Sequence, residues 1–440
     1  MLSLLTHPVF GRLLAAQVVA LLGTGLLTVA LGLLAFDLAG ARAGVVLGIA
    51  YSVKMLAYVV LSPIIQALVA DLPRRAVLVC ADIVRGLVAL CLPFVTEIWQ
   101  IYALIFVLQT ASATFTPVFQ ALIPAVLTDE ARYTRALSLS RLAYDLENLT
   151  SPALAGLLLG IVNYSWLFTG TALGFALSAI LVLGTVLPAQ IATKQAPFMA
   201  RVTRGTRIYL ATPRLRGLLA LVLGAAAGSA FVLVNTVVLV RSGYAGSEGD
   251  LALAMAAFGA GSMAAALGLP RLLDTLPDRI VMLVAGAGLA GVMMLSALWL
   301  GFGPPAWPAF LMLWLLTGAL YSAVQTPSGR LLRRSAPEAD RAAIFAAHFA
   351  LSHACWLVTY PLAGLLGVAL GLPVTLGILA VIAAFGVLLA IRLWPASDGV
   401  QVPHSHPDLP KDHPHLAAHS SAHSHALLYD DLHPRWPAPG

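Results

Sequence analysis

The sequence predicts an all-α membrane protein of twelve transmembrane helices arranged as two pseudo-symmetric six-helix halves. Three observations predict it. Of the 440 residues, 60% are hydrophobic and 10% charged, with a mean hydropathy of +0.91. A water-solvated domain carries about 25% charged residues, so lipid must solvate much of this surface. Apolar runs of the length a ~30 Å bilayer core requires, about 20 residues each, recur twelve times. Short sequence matches also recur six spans apart. This composition excludes a soluble enzyme. The chain lacks a Gly-rich phosphate loop ending in Lys-Ser/Thr, which argues against ATP hydrolysis and leaves a gradient to drive any transport.

Runs bounded by Pro, Gly or charge place the spans at 10–38, 44–70, 76–95, 98–124, 137–161, 165–187, 216–240, 251–273, 279–302, 306–325, 342–366 and 373–393. The first, with one Arg ahead of a long apolar run and no small-residue cleavage site, reads as a spanning helix and not as a removed signal peptide. Cys80, Cys91 and Cys355 lie inside apolar runs, without the pairing of a disulfide frame or thiolate metal site. Of the 25 basic residues, 20 fall on one side, in connections or at span ends, two (Arg42, Arg241) on the other and three (Lys54, Arg85, Arg141) deeper within spans. Short Lys/Arg-rich loops stay cytoplasmic, so both termini are expected inside the cytoplasmic (inner) membrane. The same rule accounts for the net charge of +6 without a nucleic-acid partner.

The connection 188–215, with Lys194, Arg201, Arg204, Arg207, Arg214 and no acid, divides the spans six and six. The expected organisation is a first half at 1–187, a linker at 188–215, a second half at 216–394 and a disordered cytoplasmic tail at 395–440. Leu72-Pro73-Arg74-Arg75-Ala76-Val77-Leu78-Val79 aligns with Leu276-Pro277-Asp278-Arg279-Ile280-Val281-Met282-Leu283, and Thr116-Pro117 with Thr326-Pro327. Both matches fall at equivalent places six spans apart, as a duplicated unit predicts.

Asp71-Leu72-Pro73-Arg74-Arg75 after span two resembles the Asp-x-x-x-Arg/Lys loop signature of the major facilitator superfamily. Gln66 and Ala67 stand where a glycine is usual, and Thr275 stands in place of Asp71 in the second copy. Asn148-Leu149-Thr150-Ser151-Pro152-Ala153-Leu154-Ala155-Gly156 resembles the span-five motif of the superfamily's exporters. The resemblance covers 1–395 and implies alternating access, with Asp71, Arg74 and Arg75 in a cytoplasmic gating loop. With its His-rich tail, the whole pattern is similar to that of the nickel-resistance exporters. That similarity implies transport of Ni2+, with Co2+ as a second ion, in exchange for protons. No cofactor and a monomeric protein are expected.

A charge in the bilayer core costs at least ~2.5–3.5 kcal/mol, so each needs a partner, a cavity or a role. Arg141, Asp145, Asn148 and Pro152 share one face of span five, widened by Tyr144 and Ser151. That stripe is expected to line a cavity, with Asp145 the leading proton- or cation-coupled acid, although an internal Arg141–Asp145 ion pair explains the spacing equally well. Asp82 and Arg85 in span three can pair at i,i+3, which reads as structural. Lys54 has no acid in its own helix, leaving Asp37, Asp82 or Asp145 as partners across the bundle. Polar positions on spans one and four (Gln17, Thr24, Thr28; Gln109, Ser112, Thr116, Gln120) suit either a pathway or helix–helix hydrogen bonds. Span eleven carries His348, Ser352 and Cys355 on one face, with His353 turned about 100° from Ser352. Imidazole suits nickel and cobalt and exchanges protons near neutral pH. His348 and His353 are therefore candidate ligands or proton carriers.

Eight of the eleven histidines lie in the last 37 residues: His404, His406, His413, His415, His419, His423, His425 and His433. Three His-x-His pairs interspersed with Asp408, Asp412, Asp430 and Asp431 offer nitrogen and oxygen donors to a divalent ion. The expected function is proton-coupled export of nickel, with export of drugs or siderophores as the alternative, since the two motifs occur broadly among such exporters.

Overall fold

The computed structural model describes residues 5–61, 72–127, 136, 139, 143, 151, 154–187, 198–273, 275–335, 341–396, 401–405 and 422–426. The helices are α1 (Phe10–Ala39), α2 (Ala43–Leu56, continued by a π turn at Ala57–Leu61), α3 (Arg74–Cys91), α4 (Ile98–Val126) and α5 (Ser165–Leu183). They continue with α6 (Phe198–Ala211), α7 (Pro213–Val238), α8 (Glu248–Leu273), α9 (Asp278–Phe302), α10 (Trp307–Gln325), α11 (Ser328–Arg334), α12 (Arg341–Ala369) and α13 (Leu372–Leu393).

Among the described residues, ten stretches are long and apolar enough to cross a membrane. The first, Phe10–Val60, is 51 residues long and holds both α1 and α2. Most of span five, with Arg141, Asp145 and Asn148, lies outside the described residues, as does Asp71; the helix there is described at 154–159.

Proline and glycine punctuate the spans as local chemistry requires. Pro213 opens α7 and Pro308 lies in the first turn of α10, where a missing N–H is harmless. Gly40, Gly303 and Gly371 close α1 and α9 and precede α13 at φ of 53°, 132° and 83°, values a side chain would strain. All three turns sit at the end of the bundle opposite Phe10 and Leu393, called here the far end. At the same end Gln100 Oε1 accepts from the N–H groups of Thr96 (2.8 Å) and Glu97 (3.1 Å), capping α4.

In the first half α1 and α3 pack on α5, and α4 on α3; in the second, α8 packs on α10, and α13 on α7 and α9. Small residues set the distances. A Cβ on Gly261 would fall 1.8 Å from Leu315 O, and one on Gly318 1.9 Å from Phe258 O, so the α8–α10 backbones touch. Among the described residues the largest contact between halves is α2 against α12, with α1 and α2 also reaching α7.

The two aligned copies share their backbone and differ in charge. Pro73 and Pro277 cap α3 and α9 in extended conformation, but Arg74 occupies the place of Asp278. Asp278 accepts from Arg330 Nε at 2.9 Å and Arg334 Nη1 at 3.1 Å, tying α11 to the foot of α9. At the second match, α4 runs through Thr116-Pro117, whereas α10 stops at Gln325 and α11 begins anew at Ser328. Within the tail, whose composition suggested disorder throughout, β1 (Gln401–Ser405) and β2 (Ala422–Ala426) pair antiparallel with His404 opposite His423 and Val402 opposite His425.

Candidate transport pathway

The seam between α2 and α12 carries the sequence-predicted side chains that the structure brings together. Lys54 and Tyr58 are one turn apart on α2, and the Lys54 Nζ stands 5.9 Å from the centre of the Tyr58 ring. Across the seam the Tyr58 ring meets His353 edge-on at 5.5 Å and Phe349 at 5.9 Å. The Trp356 ring lies 5.9 Å from that of His353. Lys54 from one half and His353 from the other thus flank one tyrosine.

His353 Nδ1 lies 2.7 Å from Phe349 O. A carbonyl accepts only, so Nδ1 carries the proton and the Nε2 lone pair remains for a ligand or a second proton. His348 faces elsewhere: its Nδ1 is 2.9 Å from the Tyr209 hydroxyl of α6, with the two rings stacked at 5.8 Å. Burial raises the Tyr209 pKa well above that of an ordinary phenol, so this hydroxyl stays protonated at neutral pH. The sequence made both histidines candidate ligands or proton carriers while turning their rings to different faces of the helix. The structure sends His353 to the seam and His348 to the linker helix.

Arg74 is half-buried and Arg75 exposed at the start of α3. Asp71 cannot be placed beside them, since it lies outside the described residues, as do Arg141, Asp145 and Asn148. Of the span-five stripe Ser151 is described and fully buried, and further along that helix a Cβ on Gly156 would come within 3.2 Å of the Ala252 Cβ on α8. Among the described residues, no group of three or more His, Cys, Asp or Glu side chains stands ready to hold a metal ion. In the tail, the register places the backbones of His404 and His423 opposite each other; His406, His413, His415, His419 and His433 lie outside the described residues.

Asp82 and Arg85 hold the first half together. They pair directly, Ser178 on α5 donates to Asp82 at 2.8 Å, and the guanidinium sits 4.3 Å from the Phe115 ring and 4.5 Å from the Phe175 ring. Both charges are buried among α3, α4 and α5.

Sequence reasoning overlooked α7 as a polar hub. Asn235 Nδ2 donates to Ala363 O (3.0 Å), Trp356 Nε1 to Ser229 Oγ (2.8 Å) and Trp314 Nε1 to Thr236 Oγ1 (2.9 Å). The available signal was three hydrogen-bonding side chains in an otherwise apolar span.

The Major Facilitator Superfamily model matches residues 13–245 and 218–427. An uncharacterized MFS-type transporter, YfiS of Bacillus subtilis, is 26% identical over 293 residues, 63% of this chain and 68% of that protein. Macrolide efflux protein A of Streptococcus pyogenes is 26% identical over 184 residues, which span 41% of this chain and 45% of that protein. Among solved structures, a bacterial homolog of the human lysosomal transporter Spinster, inward-facing and unoccupied, aligns with a TM-score of 0.65 at 14% identity, covering 87% of this chain and 97% of that one. The nucleoside transporter NupG aligns at 0.62 and 15% identity over 87% of this chain and 97% of its own. At such identities the structural likeness speaks to fold alone, but with the family match across both halves the conclusion is direct: the chain belongs to the major facilitator superfamily and is a multi-pass membrane transporter.

Proposed function

We propose that this transporter exports nickel, with cobalt as a second ion, across the cytoplasmic membrane in exchange for protons, with both termini in the cytoplasm. The observation that carries the reading is the tail, where eight histidines crowd into 37 residues among four aspartates. Such a chain offers borderline nitrogen donors to a divalent ion beside the mouth of the pathway. Asp145 is the coupling acid, Arg141 and Asn148 flank it, His353 offers a free Nε2 at the seam, and Lys54 supplies a fixed charge across from it. His348 acts from the linker side. Asp71, Arg74 and Arg75 gate the cytoplasmic mouth.

A second reading, export of an organic compound, is favoured by two observations. One relative carries the name macrolide efflux protein. The seam is also walled by Tyr58, Phe349 and Trp356, the kind of surface that stacks on a flat organic molecule. Uptake into inverted vesicles of nickel, cobalt, zinc and a panel of organic cations, with and without a pH gradient, separates the two. Gradient-driven nickel accumulation is expected; accumulation of organic cations alone would replace the first reading with the second.

A further inference from the structure

We propose that Asn235 is a positioning residue of the transport cycle, fixing α12 beneath a glycine crossing with α2 that holds the far end of the two halves shut. At this crossing the backbones meet without side chains between them. A Cβ on Gly48 would lie 2.7 Å from Tyr360 O, and one on Gly364 2.3 Å from Gly44 O. The Tyr51 and Tyr360 rings continue the contact at 5.1 Å.

Asn235 stands where α7 joins this crossing. It is 1% exposed, and its Nδ2 donates to Ala363 O at 3.0 Å. Its Oδ1 occupies the remaining space: a Cβ on Gly44 would come within 2.7 Å of it, and one on Gly367 within 2.9 Å. One amide therefore bonds α12 and fills the gap beside α2.

The consequence follows from which half owns which helix. The Asn235–Ala363 bond lies within the second half and travels with it when the halves rock. The glycine crossing joins the halves and must part before the far end opens. Asn235 thus sets the surface that α2 closes against, without touching the cargo. A methyl group at Gly48 or Gly364 acts on the closed arrangement alone, since in the open one it meets space. Gly32, also on the half–half boundary, has its nearest neighbour, Val237 Cβ, at 3.9 Å, and tolerates the same methyl.

Double electron–electron resonance on the full chain tests this, with Cys80, Cys91 and Cys355 replaced by serine. Labels at Asn163→Cys and Leu370→Cys report the far-end distance between halves; labels at Ser247→Cys and Leu370→Cys report a distance within the second half. Gly48→Ala and Gly364→Ala should each raise the ratio of long to short distances across the halves roughly tenfold, as overpacking a close contact does. Asn235→Leu should move it the same way, and Gly32→Ala should leave it unchanged. The within-half distance should hold throughout. An unchanged distribution across the halves in Gly48→Ala and Asn235→Leu would overturn the proposal. So would an Asn235→Leu protein whose within-half distance alone changes, because Asn235 would then be a packing residue. Asn235→Ser, too short to reach Ala363, gives the same reading should the leucine variant fail to accumulate.

Discussion

The two acids that spacing singled out in spans three and five ask for opposite experiments. Asp82 is walled in with Arg85, Ser178, Phe115 and Phe175. Asp82→Asn leaves a buried guanidinium without its counter-charge, a change that costs about 3–5 kcal/mol. It should lower the thermal unfolding temperature in detergent and reduce accumulation in the membrane. Asp145→Asn should leave unfolding unchanged and abolish the dependence of export on a pH gradient; undiminished gradient-driven export at equal expression would remove Asp145 as the coupling acid. The histidines divide similarly. His353→Phe keeps a ring among Tyr58, Phe349 and Trp356 but removes the free Nε2, and should cut initial export at least tenfold. His348→Phe breaks the bond to Tyr209, away from the seam, and should cost much less. Equal losses in the two variants at matched expression would deny the seam its special place. The pairing of Asp82 with Arg85 was legible because i,i+3 geometry is local. The divergence of the two histidines was half legible: their angular offset follows from the helix, while the neighbour on each side depends on how α2 and α6 pack against α12.

At the scale of the helix, close approach sets the energetics. Gly261 and Gly318 have no room for a methyl group, because the α8 and α10 carbonyls occupy it. Gly261→Ala should destabilise the protein by about 1–3 kcal/mol or more as the helices are forced apart. Gly268, seven residues along α8, has nothing within 4 Å of a built Cβ, and Gly268→Ala should be neutral or stabilising by up to ~1 kcal/mol. Thermal unfolding of the two variants side by side reads the difference, and equal midpoints would mean that the α8–α10 contact does not limit stability. Sequence could not rank these positions, since all 37 glycines look alike until a partner helix is known. It did place the helices well, because a bilayer imposes a length that hydropathy reports directly. The expected end of span ten at 325 coincides with the end of α10, but the short helix α11 beyond it escaped the sequence, since Thr326-Pro327 reads the same as Thr116-Pro117, through which α4 continues unbroken.

For the molecule as a whole, the asymmetry of basic residues makes a direct statement about sidedness. In a background without native thiols, a cysteine at 247 should react with a membrane-impermeant reagent from outside the cell, and one at 204 only from inside; the reverse labelling would invert the topology and move the tail to the other side. Removal of residues 400–440 should then weaken nickel export at low concentration and leave the maximal rate intact. A tethered ligand raises local concentration but cannot line a site ~15 Å deep in a ~30 Å core. Initial efflux against nickel concentration for full-length and truncated protein checks this, and superimposable curves would make the tail irrelevant. Imidazole binds metal only when neutral, so the tail's advantage should fade as cytoplasmic pH falls below about 6.5.

The turns at the far end are short: three residues form the helical turn between α1 and α2, Gly40–Arg42, and Gly371 follows α12 closely. With the sidedness proposed here, these turns and the other short connections at that end, among the described residues, are what the protein shows to the world outside the cell. An antibody or a protease arriving there finds almost no chain to grip, whereas the linker, α11 and the tail are all offered to the opposite compartment. Any macromolecule that recognises this transporter, whether to regulate it or to dispose of it, must therefore reach it from the cytoplasm, and a blocking agent applied from outside would have to be small enough to enter between the helices themselves.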